Sequence, residues 1–150
     1  MDFSKITDDL FIGTTPSVKD YDQLRDAGVR LVINMRLTHR PEPDPYIQPL
    51  KFLSLRTIDS PFFPIPIHKL QRGAQAALEV IRYGGRVYAH CAGGVHRGVA
   101  MGACILIAQG YDPQAAMRLI SERRLFADPY VFYIRNRILL FAREWQPKGA

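Results

Sequence analysis

The segment His90-Cys91-Ala92-Gly93-Gly94-Val95-His96-Arg97-Gly98-Val99 constrains this chain more than any other. It follows the short strand-like run Arg86-Val87-Tyr88-Ala89 and opens an apolar helical stretch. A cysteine thus leaves a strand, enters a loop with two glycines, and meets an arginine six positions later at a helix start. Helix N-termini present unpaired N–H groups and about half a positive charge. Glycines let the loop backbone curl until several N–H groups point at one centre, a nest suited to an oxyanion. Arg97 adds a rigid fork matched to two oxygens of phosphate or sulfate. The same field stabilises a thiolate at Cys91, so anion site and nucleophile share one cause.

The rest of the chain alternates strand and helix signals. Further strands are expected at 3–6, 10–13, 29–35 and 51–55, with 86–89 leading into the loop. A first helix is expected over 17–27, with Thr15 as cap, Pro16 at its first position and Gly28 as stop. A second spans 67–83, with Leu70, Ala74, Ala77, Leu78 and Ile81 on one face and Gly84-Gly85 at its end. The third, 98–109, is apolar on all sides and must be buried. Asp112-Pro113 and Asp128-Pro129 read as cap-plus-first-position pairs opening two more helices. In the last of these, Ile134, Ile138, Phe141 and Trp145 form a core stripe. The order predicts one α/β domain over residues 1–150, with a central, mostly parallel sheet flanked by helices. Ligands of such sheets sit at the carboxyl ends of the strands, where the Cys91 loop falls. The 150 residues, 47% of them apolar, suffice for one sizeable core.

Charge and cysteine usage narrow the function classes. The net charge of +6 favours anionic substrates. The basic residues are scattered and no block interleaves them with aromatics, so no stable nucleic-acid partner is expected. The longest nearly apolar stretch, 99–108, is about half a membrane span, and no secretory signal opens the chain. Two cysteines make no disulfide framework, and an active-site thiol favours a reducing compartment. The expectation is a cytoplasmic protein with no membrane partner; its oligomeric state is left open. Four histidines and two cysteines show no ligand spacing, so neither metal nor cofactor is expected.

The segment around Cys91 resembles the His-Cys-x2-Gly-x2-Arg signature of cysteine-dependent protein tyrosine phosphatases, and most closely their small dual-specificity group. Leu10-Phe11-Ile12-Gly13 with Pro16-Ser17 is similar to that group's opening strand and turn. Leu31-Val32-Ile33-Asn34-Met35-Arg36 is similar to its central strand, and Arg123-Arg124 falls where its penultimate helix often ends. The resemblance implies that Cys91 forms a phosphocysteine, that Ala92, Gly93, Gly94, Val95, His96, Arg97 and Gly98 hold the phosphoryl group, and that His90 orients the loop. Protonating the leaving group requires an acid on a separate segment. Asp59, in Thr57-Ile58-Asp59-Ser60-Pro61, is the candidate, 32 residues before Cys91, a spacing that resembles the group. Asp44 is its rival but lies in the proline-rich loop 38–49. Cys104 reads as a packed core residue, Asn34 and Arg36 as scaffold, and His96 as either a phosphate sensor or a solvent-facing side chain. The implied substrate is phosphotyrosine, with phosphoserine and phosphothreonine beside it, on a protein or peptide.

One position departs from the pattern. The family usually places Ser or Thr directly after the signature arginine, where the hydroxyl stabilises the departing thiolate; here it is Gly98. No Ser or Thr occurs between Pro61 and Ile120 to replace it. Slow breakdown of the phosphoenzyme is therefore expected. Two alternatives stay open: hydrolysis of an RNA 5′-phosphate or a phosphoinositide, and a phosphate-binding module with little turnover.

Overall fold

Alternating side chains in the central strand explain the layering. In β3 (Val29–Arg36), Leu31, Ile33 and Met35 join the larger core cluster and Val32 a smaller one on the opposite face, which Val29 also joins because the register shifts between Val29 and Leu31. The computed structural model describes residues 1–145. Around β3 lie β1 (Phe3–Lys5), β2 (Leu10–Gly13), β4 (Lys51–Thr57) and β5 (Arg86–His90), in the spatial order β1-β2-β5-β3-β4. β1 pairs antiparallel with β2, and every other pairing is parallel. The smaller cluster is closed by Tyr21 and Leu24 of α1 (Tyr21–Asp26). The larger is closed by α2 (Ile67–Arg82), α3 (Arg97–Ala108), α4 (Pro113–Arg123) and α5 (Phe132–Glu144). The expected α/β architecture is the one found.

α3 runs through the middle of the helical layer, with all of Gly98–Ile107 buried, as its all-round apolarity requires. α2 crosses it closely: a Cβ on Gly73 would lie 2.4 Å from Met101 Sδ. Cys104 is fully buried, and burial pushes its thiol pKa up, as befits a core residue. Ile134, Ile138 and Phe141 are buried too, and Trp145 stacks on Phe141 at 5.1 Å.

Two helix starts differ from expectation. The first helix does not begin at Pro16. Ser17 and Asp20 form a reciprocal capping box around a short 3-10 turn, Val18–Asp20, and α1 starts only at Tyr21. Thr15 is released from capping and turns toward Cys91. The last helix begins at Phe132, not Pro129. Asp128 Oδ1 accepts from the N–H groups of Tyr130 and Val131, a local turn that competes with helix initiation. Asp112 does cap α4, accepting from Gln114 and Ala115.

The ladder between β3 and β4 slips once. Asn34 pairs with Ser54 but Arg36 pairs with Thr57, and Arg56 takes φ +56° where the extra residue is accommodated. That bulge turns the end of β4 so that the Thr57 carbonyl faces α3 and the following loop crosses the sheet's carboxyl edge. Proline keeps 38–49 irregular, as expected. The loop is anchored by Tyr21 donating to Glu42 O (2.7 Å) and by the buried Asp44, which pairs with Arg25 and accepts from Leu50 N (2.9 Å).

Candidate active site

The carboxyl ends of the parallel strands deliver Cys91 and Asp59, and helices α4 and α5 bring Arg124 and Tyr133 to them. β5 ends at His90, and Cys91 opens the loop that leads into α3. The Cys91 side chain is buried, and its Sγ accepts the Gly94 N–H at 3.2 Å. Gly94 has φ +65°, which points its N–H inward. A Cβ there would lie 2.6 Å from Arg124 Nη2 and 2.9 Å from the Gly13 carbonyl. Gly94→Ala therefore faces backbone strain and overpacking together, about 2–4 kcal/mol. The expected outcome is a fall of that size in urea-unfolding stability, together with weaker phosphate binding.

Arg97 begins α3, and its Nη1 donates to Thr57 O (2.8 Å) and Met35 O (3.4 Å). Those carbonyls at the ends of β3 and β4 fix the guanidinium plane. Its Nε is buried without a protein acceptor, leaving a donor for a bound oxyanion. Cys91 and Arg97, expected to share one cradle, stand at the two ends of the loop that joins β5 to α3.

Asp59 comes from the loop after β4 and reaches the same place. His96 Nδ1 lies 3.0 Å from Asp59 Oδ2, and the Tyr133 hydroxyl donates to Asp59 Oδ1 at 2.7 Å. Tyr133 O also lies 3.3 Å from His96 Nδ1, closing a three-membered cluster over the loop. Partial burial works to raise the Asp59 carboxyl. The hydrogen bonds from His96 and Tyr133, with the charges of His96 and Arg97, outweigh it and hold the pKa below the usual range. Burial and the bond to Asp59 push the Tyr133 phenol up to about 12. His96, expected either as a phosphate sensor or as a solvent-facing side chain, thus faces a carboxylate. Asp44, buried at the foot of its own loop, is structural.

His90 is buried and its ring packs against Tyr88 (5.9 Å) and His39 (6.2 Å). Nδ1 has no protein partner, so this edge of the ring is fixed by packing. Burial, helped by His39, drives its pKa down to about 3 and keeps it neutral. His90 is therefore suited to support the loop rather than to move protons.

Two contributors were only half visible in the sequence. Arg124, noted there only as the end of a helix, is buried beneath the loop. Its Nε donates to Gly94 O (2.8 Å) and Nη2 to Gly93 O (3.2 Å), turning those carbonyls away from the anion centre. Thr15 donates to Cys91 O (3.3 Å) and accepts from Arg36 Nη1 (3.1 Å), so Arg36 is tied to the site through one hydroxyl. That hydroxyl serves the Cys91 carbonyl and does not replace the one missing at Gly98. A Cβ on Gly98 would meet Cys91 N and His90 Cα at 3.4 Å, ordinary contact, so a serine side chain has room to begin there.

Comparison with known proteins places this geometry in context. Human DUSP28 superposes with a TM-score of 0.83 at 20% identity, covering 94% of this chain and 93% of its own. PTPMT1 gives 0.81 at 23% identity, with 95% of each chain covered. This chain has the fold of the dual-specificity phosphatases. A human tyrosine phosphatase-like serine/threonine/tyrosine-interacting protein shares it as well, at 0.81 and 19% identity over 94% of this chain and 95% of that one. No family model and no curated protein matches the sequence.

Proposed function

We propose that the chain is a cysteine-based phosphomonoester hydrolase of the protein tyrosine phosphatase superfamily, working without metal. The observation that carries it is the convergence of three segments: Cys91 under the Gly94 N–H, Arg97 clamped by strand-end carbonyls, and Asp59 held at the loop by His96 and Tyr133. The Cys91 thiolate attacks phosphorus in line, the ester P–O bond breaks, and Asp59 gives its proton to the departing oxygen. Arg97 and the loop N–H groups hold the charge spread over the equatorial oxygens. Asp59, now ionised, takes a proton from water as it attacks phosphorus. The S–P bond then breaks, returning thiolate and inorganic phosphate.

Phosphotyrosine on a protein is the substrate that the sequence resemblance implies. A phosphoinositide has a specific observation in its favour, since PTPMT1, at 24% identity, has been solved in complex with PI(5)P. Cytoplasmic location belongs to the same proposal.

Hydrolysis of p-nitrophenyl phosphate in EDTA tests the chemistry, and rapid mixing tests Gly98. Wild type should show a burst of p-nitrophenol, because breakdown of the phosphoenzyme lacks a hydroxyl to stabilise the leaving thiolate. Gly98→Ser should shrink the burst and raise the steady-state rate about 10- to 100-fold, the worth of one hydrogen bond to a charged group (about 1.5–3 kcal/mol). Tight phosphate binding with no turnover in either protein would instead favour a phosphate-binding module.

A further inference from the structure

We propose that the mouth of the site docks on an anionic bilayer, and that its phosphomonoester is carried on a lipid headgroup at that surface. The substrate half rests on the hydrolase function proposed above; the docking half stands on the rim alone. Phe62 and Phe63 follow Asp59 by three and four residues, on the loop that brings it to His96. Leu125 and Phe126 follow the buried Arg124 that braces the loop from below, and the same segment returns through Asp128 N donating to Val95 O. Phe132 precedes Tyr133, with ring centroids 5.6 Å apart, where Tyr133 meets Asp59. Three segments, each tied to the Cys91 loop or to Asp59, therefore carry large apolar side chains at the same mouth.

These side chains stand out into solvent: Phe62, Phe126 and Leu125 are 86%, 80% and 79% exposed. Phe126 is held outward at φ +66°, a backbone conformation a phenylalanine rarely adopts. Folded domains rarely cluster such residues without a partner. Protrusion decides which partner. A peptide needs a concave, apolar seat, and the two large clefts, about 830 and 700 Å³, are lined by other residues around Trp145. A bilayer interface accepts projecting aromatics directly. Charge agrees: apart from the buried Arg124, segments 56–69 and 123–137 carry five Lys and Arg against two Asp. Both carboxylates are occupied, Asp59 by His96 and Tyr133 and Asp128 by backbone N–H groups. Among the described residues no helix is long and apolar enough to cross a membrane.

The test compares wild type with Phe62→Ser/Phe126→Ser, residues outside the chemical machinery. Sedimentation with phosphatidylcholine vesicles containing phosphatidylglycerol should capture wild type, and pure phosphatidylcholine should capture less. The double variant should bind about 100-fold more weakly, roughly tenfold per phenylalanine withdrawn from the interface. Its rate on p-nitrophenyl phosphate should stay within twofold. Its release of phosphate from vesicle-held phosphatidylinositol monophosphate should fall with binding. No capture of wild type, or equal capture of the double variant, overturns the proposal. So does a loss in the double variant confined to phosphotyrosyl peptides, which would assign the rim to a protein partner. Vesicle capture of a wild type that fails on p-nitrophenyl phosphate supports the docking face and overturns only the hydrolase function.

Discussion

Replacing Cys91 by serine should lower turnover of p-nitrophenyl phosphate by about 10⁴-fold or more while leaving the anion site intact. Sγ sits in a buried position, accepts the Gly94 N–H, and offers a sulfur that attacks phosphorus without a partner base. A serine hydroxyl is a far weaker nucleophile and needs one. His90, the adjacent imidazole, is pushed to about 3 by burial and is too weak to serve. The proposed phosphate-holding groups are untouched by the change, so vanadate or phosphate should still bind by calorimetry within a few-fold of wild type. Arg97→Lys should fail differently. An ammonium cannot span Thr57 O and Met35 O and still offer a planar fork to two phosphoryl oxygens. Anion affinity and rate should fall together, the rate by about 10²- to 10³-fold. A Cys91→Ser protein that keeps a tenth of its activity would remove the nucleophile assignment.

Much of this arrangement is written in local sequence. The strand, the paired glycines and the helix start around Cys91 lie within a dozen residues, so the cradle follows from short-range backbone rules. The all-round apolarity of α3 likewise places it in the core. What stayed hidden depends on long-range meetings. Arg124 reaches the Gly93 and Gly94 carbonyls across 31 and 30 residues, and Tyr133 meets Asp59 across 74. Nothing in a polar aromatic beside a core stripe announces that contact. His96 was legible as a loop residue but not as the partner of Asp59, because the bulge at Arg56 that aims the Asp59 loop leaves no mark in the pattern. The displaced helix starts have local causes: Asp20 and Asp128 offered backbone donors a nearer acceptor than the helix register assumed. Cap-plus-proline is satisfied equally by a turn.

The His96–Asp59–Tyr133 cluster makes a prediction about pH that a merely structural contact would not. Asp59 must be protonated to act as acid, yet its partners favour the carboxylate and hold its pKa below the ordinary value. In the free protein the acid form is therefore lost early as pH rises, and kcat/KM should decline on an alkaline limb set by Asp59. Tyr133→Phe deletes a hydrogen bond made to the charged form, and His96→Asn deletes a partner's charge; each should move that limb to higher pH. Asp59→Asn should abolish the limb and lower kcat/KM at its optimum by about 10²- to 10⁴-fold, the range for losing a general acid. The loss should be smaller for esters whose leaving groups depart without a proton. Folding stability follows the same sign. A carboxyl with a depressed folded-state pKa stabilises the native chain above its unfolded value, about 4, and that contribution disappears as pH falls through the folded value. A bound phosphoryl dianion beside Arg97 acts in the opposite direction, since like charge raises the Asp59 pKa and returns the proton. The cluster thus keeps Asp59 in place and ionised until substrate arrives. If the alkaline limb stays fixed in Tyr133→Phe and His96→Asn while Asp59→Asn still loses activity, the two residues hold the loop but do not tune its acid.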